Sequence, residues 1–420
     1  MKIAVIGAGS AGLAVLRHST SDIYKNEVIC YERTDQVGGT WVYREESGVD
    51  QYGLPIHTSM YKNLRTNLPK ELMGFPDYPV PDVPESFIHR TEILDFLNSY
   101  CDHFKLRQYI QFLHNVELVK LVDKNRKWLI RVKDLRKNIV TVEMFDAVMV
   151  CNGHFSNPNI PKIKGQDIFK GQQMHSHDYR VPEVFKDKTV VVFGAGPSGL
   201  DLVLEIAKTA KKIFFSHHVD GTSSITFPDN VIQKPDVKEL TENSVLFEDD
   251  SSESVDAIFY CTGYNYSFSF LDETCGVHVD SNMVTPLWKH VVSIENPTLA
   301  LIGLLTHVCA FNVWDLQVRF VLQFWSGKKN FPSKEEMLKD ENEEIRNFTI
   351  KGTPKKHFHV LNDKQDSYQK DLARIANIET LPPVIMSLFD ECYARFFDNL
   401  IDYRNTKYKI IDDHHFVRLV

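Results

Sequence analysis

A close cysteine pair is missing from this chain. Its seven cysteines, at positions 30, 101, 151, 261, 275, 309 and 392, are odd in number and nowhere form a CxxC motif. That spacing suits reduced thiols in the cytosol better than a disulfide framework or a thiolate zinc site, and it weighs against a dithiol reductase, which needs a close cysteine pair. No metal site is expected. An excess of positive charge is missing as well. With 48 Lys and Arg against 56 Asp and Glu the net charge is −8, which argues against a nucleic-acid partner, whose phosphates need a basic face. Long hydrophobic runs are also lacking. The most apolar stretch, Thr298 to Val313, is broken by Thr306, His307 and Asn312 and is too short to span a bilayer, so no membrane partner is expected. A strand pattern starts at Lys2 and leaves no room for a secretory leader, so the expected location is cytoplasmic.

What is present is ordinary in composition and specific in pattern. In 420 residues, 43% apolar and 25% charged, there is room for two or three packed units. One arrangement occurs twice. Ile3-Ala4-Val5-Ile6 leads into Gly7-Ala8-Gly9-Ser10-Ala11-Gly12, and Val190-Val191-Val192-Phe193 leads into Gly194-Ala195-Gly196-Pro197-Ser198-Gly199. Each is a continuous apolar run, as expected of a parallel strand covered on both faces, followed by a glycine turn and a helical pattern such as Leu200, Leu202, Val203 and Ile206. A lone GxGxxG is weak evidence, but strand–turn–helix context around two copies predicts an α/β chain with two Rossmann-like dinucleotide sites. Gly7, Gly9 and Gly12, and likewise Gly194, Gly196, Pro197, Ser198 and Gly199, are then the pyrophosphate-facing residues. Further strands are expected at Trp128–Val132, Ala147–Val150, Ala257–Tyr260 and Leu299–Leu304, and a helix at Thr91–Phe104. Lys328 to Glu344 has the look of a solvated helical surface. Met386 to Ile401 is expected to be an amphipathic helix, and its acids favour core packing over a membrane surface.

The ends of the second strands differ. Twenty residues beyond Gly12, Val28-Ile29-Cys30-Tyr31 ends at Glu32, whose carboxylate can accept from ribose hydroxyls and would repel a 2′-phosphate. The first site therefore suits FAD. In the second unit Ile213-Phe214-Phe215 ends at Ser216-His217-His218, with Lys211 and Lys212 nearby and no acid. Ser216 and His217 are compatible with a 2′-phosphate, hence NADPH. The lack of an arginine leaves the strength of preference over NADH open.

With these elements placed, the chain resembles the flavin-containing monooxygenases. Phe169 to Arg180 fits the fingerprint FxGxxxHxxx[YF][KR] just ahead of the second glycine turn, with Tyr179 where Baeyer–Villiger enzymes carry Trp. Gly38-Gly39-Thr40-Trp41, Cys151-Asn152-Gly153-His154, Cys261-Thr262-Gly263-Tyr264 and Asp315-Leu316-Gln317-Val318-Arg319 are similar to further family segments. The match is weakest from Gly327 onward. The resemblance implies an NADPH domain (161–262) inserted into an FAD domain (1–160 and 263–420), with Gly39, Thr40, Trp41 and Gln317 beside the flavin. It implies that NADPH reduces FAD, that O₂ adds to give a C4a-hydroperoxide, and that one oxygen passes to a small soft nucleophile. An asparagine matched here by Asn67, in Arg65-Thr66-Asn67-Leu68-Pro69-Lys70-Glu71, would touch the flavin–oxygen site; by residue type alone it is a turn residue. The segment is more similar to soluble insect and microbial members, among them pyrrolizidine alkaloid N-oxygenases. The alternatives are Baeyer–Villiger or N-hydroxylating chemistry, or an NADPH-oxidising or redox-sensing flavoprotein without productive oxygenation. A homo-oligomer is left open.

Overall fold

Ile3 to Ile6 offer water no polar face, and the strand they build, Lys2–Ile6, lies inside a seven-stranded sheet. The computed structural model describes residues 1–122, 126–218 and 225–419. From one edge the sheet runs Ile110–Phe112, Glu27–Glu32, Lys2–Ile6, Ala147–Val150 and Leu299–Leu301, all parallel, and closes with the antiparallel Val292–Ser293 and Leu287–Trp288. A second sheet of five parallel strands runs Val231–Lys234, Lys212–Ser216, Thr189–Phe193, Ala257–Tyr260 and Gln172–His175. The fold is α/β with two Rossmann-like frames.

The repetition read in the two glycine turns extends to the whole of each frame. In both, the glycine-turn strand is followed by a second and a third parallel strand on one side. A three-stranded antiparallel meander comes next, and then a fourth parallel strand on the other side. The meanders are His114–Val122, Lys127–Asp134 and Ile139–Phe145 in the first frame, and Val237–Leu240, Ser244–Phe247 and Ser252–Ser254 in the second. The first frame's meander was visible in part, as the strand over Trp128–Val132. The fingerprint segment, which apart from the family would pass for a loop, contributes the edge strand Gln172–His175 to the second sheet.

Element ends differ from expectation where local chemistry intervenes. The helix expected over Thr91–Phe104 is Arg90–His103. It starts early because the His89 ring caps the Thr91 N–H while Glu92 reaches back to the His89 N–H. The strand expected to reach Leu304 stops at Leu301, since Gly303 turns away with φ +90°. The expected amphipathic helix is Pro383–Asp398; Leu388, Phe389 and Cys392 are buried in the core beside the second sheet, while Tyr393 stays exposed. No helix among the described residues is long and apolar enough to cross a membrane.

Candidate cofactor and oxygenation site

Each glycine turn makes two demands that come from the protein itself. The first glycine has φ +103° at Gly7 and +107° at Gly194, and a Cβ there would lie 2.6 Å from the carbonyl oxygen of Cys151 or Cys261, respectively. At the third position a Cβ would lie 1.9 Å from the Gly7 oxygen for Gly12, and 1.8 Å from the Gly194 oxygen for Gly199. The second glycine is different. Gly9 faces the Gly39 Cα, and around Gly196 nothing among the described residues stands within 4 Å of a Cβ. Gly196 and Pro197 are exposed and Ser198 half-buried at a helix start. The helices Ser10–Ser19 and Pro197–Ala207 begin with no side-chain cap and no acid in the first turn, so their positive ends are left for an anion. The open space at Gly196 fits a pyrophosphate approaching closely.

The strand ends hold the two discriminating positions. Glu32 is buried. Its Oε2 accepts from the Ala8 N–H at 2.7 Å inside the glycine turn, and its Oε1 accepts from the Thr34 N–H and hydroxyl at 2.8 Å each. A carboxylate offers about four lone-pair directions, so one is left for a ribose hydroxyl. In the second frame the Gly194 N–H bonds the Ser216 carbonyl as the Gly7 N–H bonds the Tyr31 carbonyl, both at 2.9 Å. His217, not Ser216, therefore stands where Glu32 does. The Ser216 hydroxyl is fully buried and donates to the Pro235 carbonyl at 2.8 Å, which turns it away from the strand-end opening. His217 is half-buried and its Nε2 lies 3.1 Å from Gln233 Oε1.

Gly38 to Trp41 lies over the first turn. The Gly38 N–H donates to the Ala8 carbonyl at 3.1 Å, Thr40 Oγ1 has no hydrogen-bond partner among the described residues, and Trp41 packs edge-to-face on Phe311 at 6.4 Å. An orphaned hydroxyl beside an uncapped helix start is chemistry that a bound dinucleotide would complete. Gln317, expected beside the flavin, has its amide held by the protein. It is fully buried in the helix Ala310–Trp325, accepts from the Gly303 N–H at 3.3 Å and donates to the Tyr368 hydroxyl at 2.9 Å. Both ends of its amide are engaged, so it fixes the Gly303 bend from beneath.

Asn67 is exposed, and its amide makes no hydrogen bond among the described residues. Its neighbours are held. The Thr66 N–H donates to the Ile88 carbonyl at 2.8 Å, Thr66 Oγ1 accepts from the Ile88 N–H at 3.2 Å, and Leu68 packs against the cores of both sheets. A free amide thus sits on a fixed segment where the two frames meet.

A family model described as flavin-binding monooxygenase-like matches residues 1–226 and 220–394. The chain belongs to that family. This monooxygenase is 36% identical over 420 residues to senecionine N-oxygenase of Tyria jacobaeae, covering 99% of this chain and 91% of the relative. It is 33% identical over 437 residues to flavin-containing monooxygenase FMO GS-OX-like 2 of Arabidopsis thaliana, covering 99% and 92%. Among solved structures, S-allyl-L-cysteine S-oxygenase from Allium sativum superposes with a TM-score of 0.90 at 32% identity, over 96% of this chain and 94% of that one. Membership brings FAD and NADPH as cofactors to the two frames.

In this monooxygenase the fingerprint works by packing. Tyr179 is fully buried, 5.7 Å from the Tyr61 ring and 5.4 Å from Phe259. Arg180 gives its guanidinium to main-chain carbonyls, those of His177 at 2.7 Å, Tyr179 at 2.9 Å, Arg44 at 2.7 Å, Glu46 at 3.2 Å and Thr58 at 3.3 Å. It ties the stretch after Trp41 to the second sheet. Three imidazoles have shifted pKa values: His175 and His154, read from the sequence only as motif positions, and His57, which sequence reading passed over; His175 is buried and the other two are half-buried. Burial lowers His154 and His175 to about 4 and His57 to about 3. The usual value is about 6.5, so the unfolded chain binds more protons than the folded one below that pH. Their contribution to stability is complete above pH 6.5 and is lost as the pH falls towards 4, by about 1 kcal/mol per histidine for each pH unit. The melting temperature at pH 5 is expected to lie more than about 5 °C below that at pH 7. A flat profile by scanning fluorimetry would show these rings to be protonated at no cost.

Proposed function

We propose that this monooxygenase transfers one oxygen atom of O₂ to a soft nucleophile, a tertiary amine or alkaloid nitrogen to give an N-oxide or a sulfide to give an S-oxide. The observation that carries the reading is the free Asn67 amide, held on a fixed segment between two dinucleotide frames. Bound and reduced by NADPH, FAD supplies the oxygen activation. The chain's share is to bind, orient and keep dry.

In this reading Gly7, Gly9, Gly12, Glu32, Gly39, Thr40 and Trp41 hold FAD. Gly194, Gly196, Pro197, Ser198 and Gly199 hold the NADPH pyrophosphate, and His217, with Ser216 behind it, faces the 2′-phosphate. Gln317 supports the flavin side through Gly303. The inserted NADPH domain is taken as 161–262, between 1–160 and 263–420. Asn67 has two amide donors and one acceptor and does not titrate, so it can orient both nicotinamide and oxygen without taking a proton. The likeness to an N-oxygenase and an S-oxygenase supports nitrogen and sulfur as acceptors. Both reactions need only a lone pair on the substrate.

Product analysis with a tertiary amine, a sulfide, a ketone and a primary amine tests this. N-oxide and S-oxide are expected, with one ¹⁸O from ¹⁸O₂ in each. Lactone or ester from the ketone, or hydroxylamine from the primary amine, as the main product would overturn it, and so would peroxide formation indifferent to every substrate.

A further inference from the structure

Arg404 lies beyond every segment that carries the resemblance, yet it reaches back over 338 residues to the stretch that ends at Asn67. Its Nε donates to the Thr66 carbonyl at 3.0 Å and its Nη2 to the Arg65 carbonyl at 3.4 Å. Arg65 returns a bond from Nη2 to the Arg404 carbonyl at 3.1 Å and holds the Phe87 carbonyl at 2.9 Å. The remaining arm of the guanidinium, Nη1, pairs with Asp201 Oδ1 at 2.5 Å, and side-chain exposures of 16% and 19% shield this pair from screening. Asp201 stands in the second turn of Pro197–Ala207, the helix whose start is the Gly196 turn. Two more contacts bind that helix to the same stretch. The Tyr61 hydroxyl donates to Asp201 Oδ2, and Asn63 Nδ2 donates to Glu205 Oε1 at 2.8 Å, one turn further along. One guanidinium therefore grips the second frame's helix and the peptide immediately before Asn67.

We propose that Arg404 is a positioning residue that couples the NADPH-side helix to Asn67, so that a nucleotide seated at the helix start fixes the peptide carrying that amide. The inference rests on the role given to Asn67 above. Its geometry favours transmission. A planar fork holding a carboxylate and a carbonyl at once cannot follow a shift of one without pulling the other, whereas a lysine has a single point charge. Asp201 sits on the helix, and Thr66 is pinned on its other side by Ile88, so little slack is left between them.

The reaction has two outcomes that separate the coupling from simple folding. Productive turnover is NADPH + H⁺ + O₂ + substrate → NADP⁺ + H₂O + oxygenated substrate. If the site is poorly set, the same two electrons leave as NADPH + H⁺ + O₂ → NADP⁺ + H₂O₂. Arg404→Gln is expected to keep its FAD and to raise the peroxide share about fivefold or more. Arg404→Lys keeps the charge opposite Asp201 but loses the fork, and is expected to fall with Arg404→Gln rather than with the wild type. Asp201→Asn, which leaves Thr66 and Arg65 bonded, is the alternative if Arg404→Gln does not fold. In the double variant Arg404→Gln/Asp201→Asn the peroxide share is expected to match that of Arg404→Gln alone.

A readout without turnover accompanies these. NADP⁺ is expected to slow hydrogen exchange at the Thr66 and Asn67 amides in the wild type and to have no effect there in Arg404→Gln. A lower melting temperature with unchanged peroxide share and intact NADP⁺ protection would make Arg404 merely structural and overturn the proposal. If Asn67→Ala raises the peroxide share and the Arg404 and Asp201 variants do not, this inference falls while the role of Asn67 stands. If Asn67→Ala leaves it unchanged, the role of Asn67 falls and this inference with it.

Discussion

Gly196→Ala is expected to yield a protein that folds, melts and binds FAD as the wild type does, yet needs at least about tenfold more NADPH for half-maximal flavin reduction, a change worth about 1.4 kcal/mol. Gly199→Ala, three residues away, is expected not to accumulate in folded form. The two differ in where the added methyl goes. At Gly196 a Cβ meets nothing within 4 Å among the described residues, and its φ of −71° suits alanine. At Gly199 a Cβ would stand 1.8 Å from the Gly194 carbonyl oxygen and 2.9 Å from its carbon, both main chain and both fixed by the strand Thr189–Phe193. No rotamer relieves a backbone clash, so helix and strand must separate. The cost belongs with the largest overpacking effects, above about 3 kcal/mol. Equal NADPH requirements for Gly196→Ala and the wild type would remove the nucleotide from this turn, because the open space in front of it would then have no occupant.

The turns were legible because their reasons are local. A glycine needed for positive φ, or for two backbones to meet, announces itself within six residues, and a strand buried on both faces shows as an unbroken apolar run. The same locality explains why the first-frame strand was read only in part. Trp128, Ile130 and Val132 alternate with half-exposed and exposed neighbours, so the pattern marks the inward face of Lys127–Asp134 and fades at its ends. The second meander carries shorter strands, such as Ser252–Ser254, with too few residues to show a period. The sheet order, in contrast, follows once four parallel strands and a meander are recognised in each half.

The site was legible only where side chains carry the information. Glu32 is seen because a carboxylate at a strand end has a chemical meaning. Ser216 and His217 were not told apart in the sequence because a hydroxyl and an imidazole at a strand end are both polar, and only the bond from the Gly194 N–H to the Ser216 carbonyl aligns His217 with Glu32. Gln317 carries no mark of burial, since one polar residue on an apolar helix reads the same whether it faces a ligand or a buried main-chain N–H. Arg180 was read only as a fingerprint position and Arg404 not at all, and the tethering done by both was missed for a common reason. Nearly all their partners are main-chain carbonyls, which are alike at every residue and leave no trace in the sequence.

Replacing Asn67 by alanine is expected to spare the fold and strike the chemistry. The side chain is exposed and makes no hydrogen bond among the described residues, so its removal is a surface change worth less than about 0.5 kcal/mol in stability. Thr66 and Leu68, which hold the peptide in place, are untouched. FAD content and melting temperature are therefore expected to match the wild type. Oxygenated product, however, is expected to form about 100-fold more slowly, the scale on which a single preorganised hydrogen-bond donor at a reacting oxygen is felt. The missing electrons should appear as peroxide, because an amide that holds nicotinamide and oxygen together protects the site from wasteful discharge. Asn67→Asp sharpens the test. It keeps size and turn propensity but replaces two donors by a carboxylate that only accepts and carries charge. It is expected to be at least as damaging as alanine, whereas Asn67→Gln, with the same donors on a longer stem, should recover part of the rate. Stopped-flow mixing of the NADPH-reduced enzyme with O₂ checks the assignment. A transient as long-lived in Asn67→Ala as in the wild type, with product yield intact, would leave the two frames in place and require another residue to guard the oxygen.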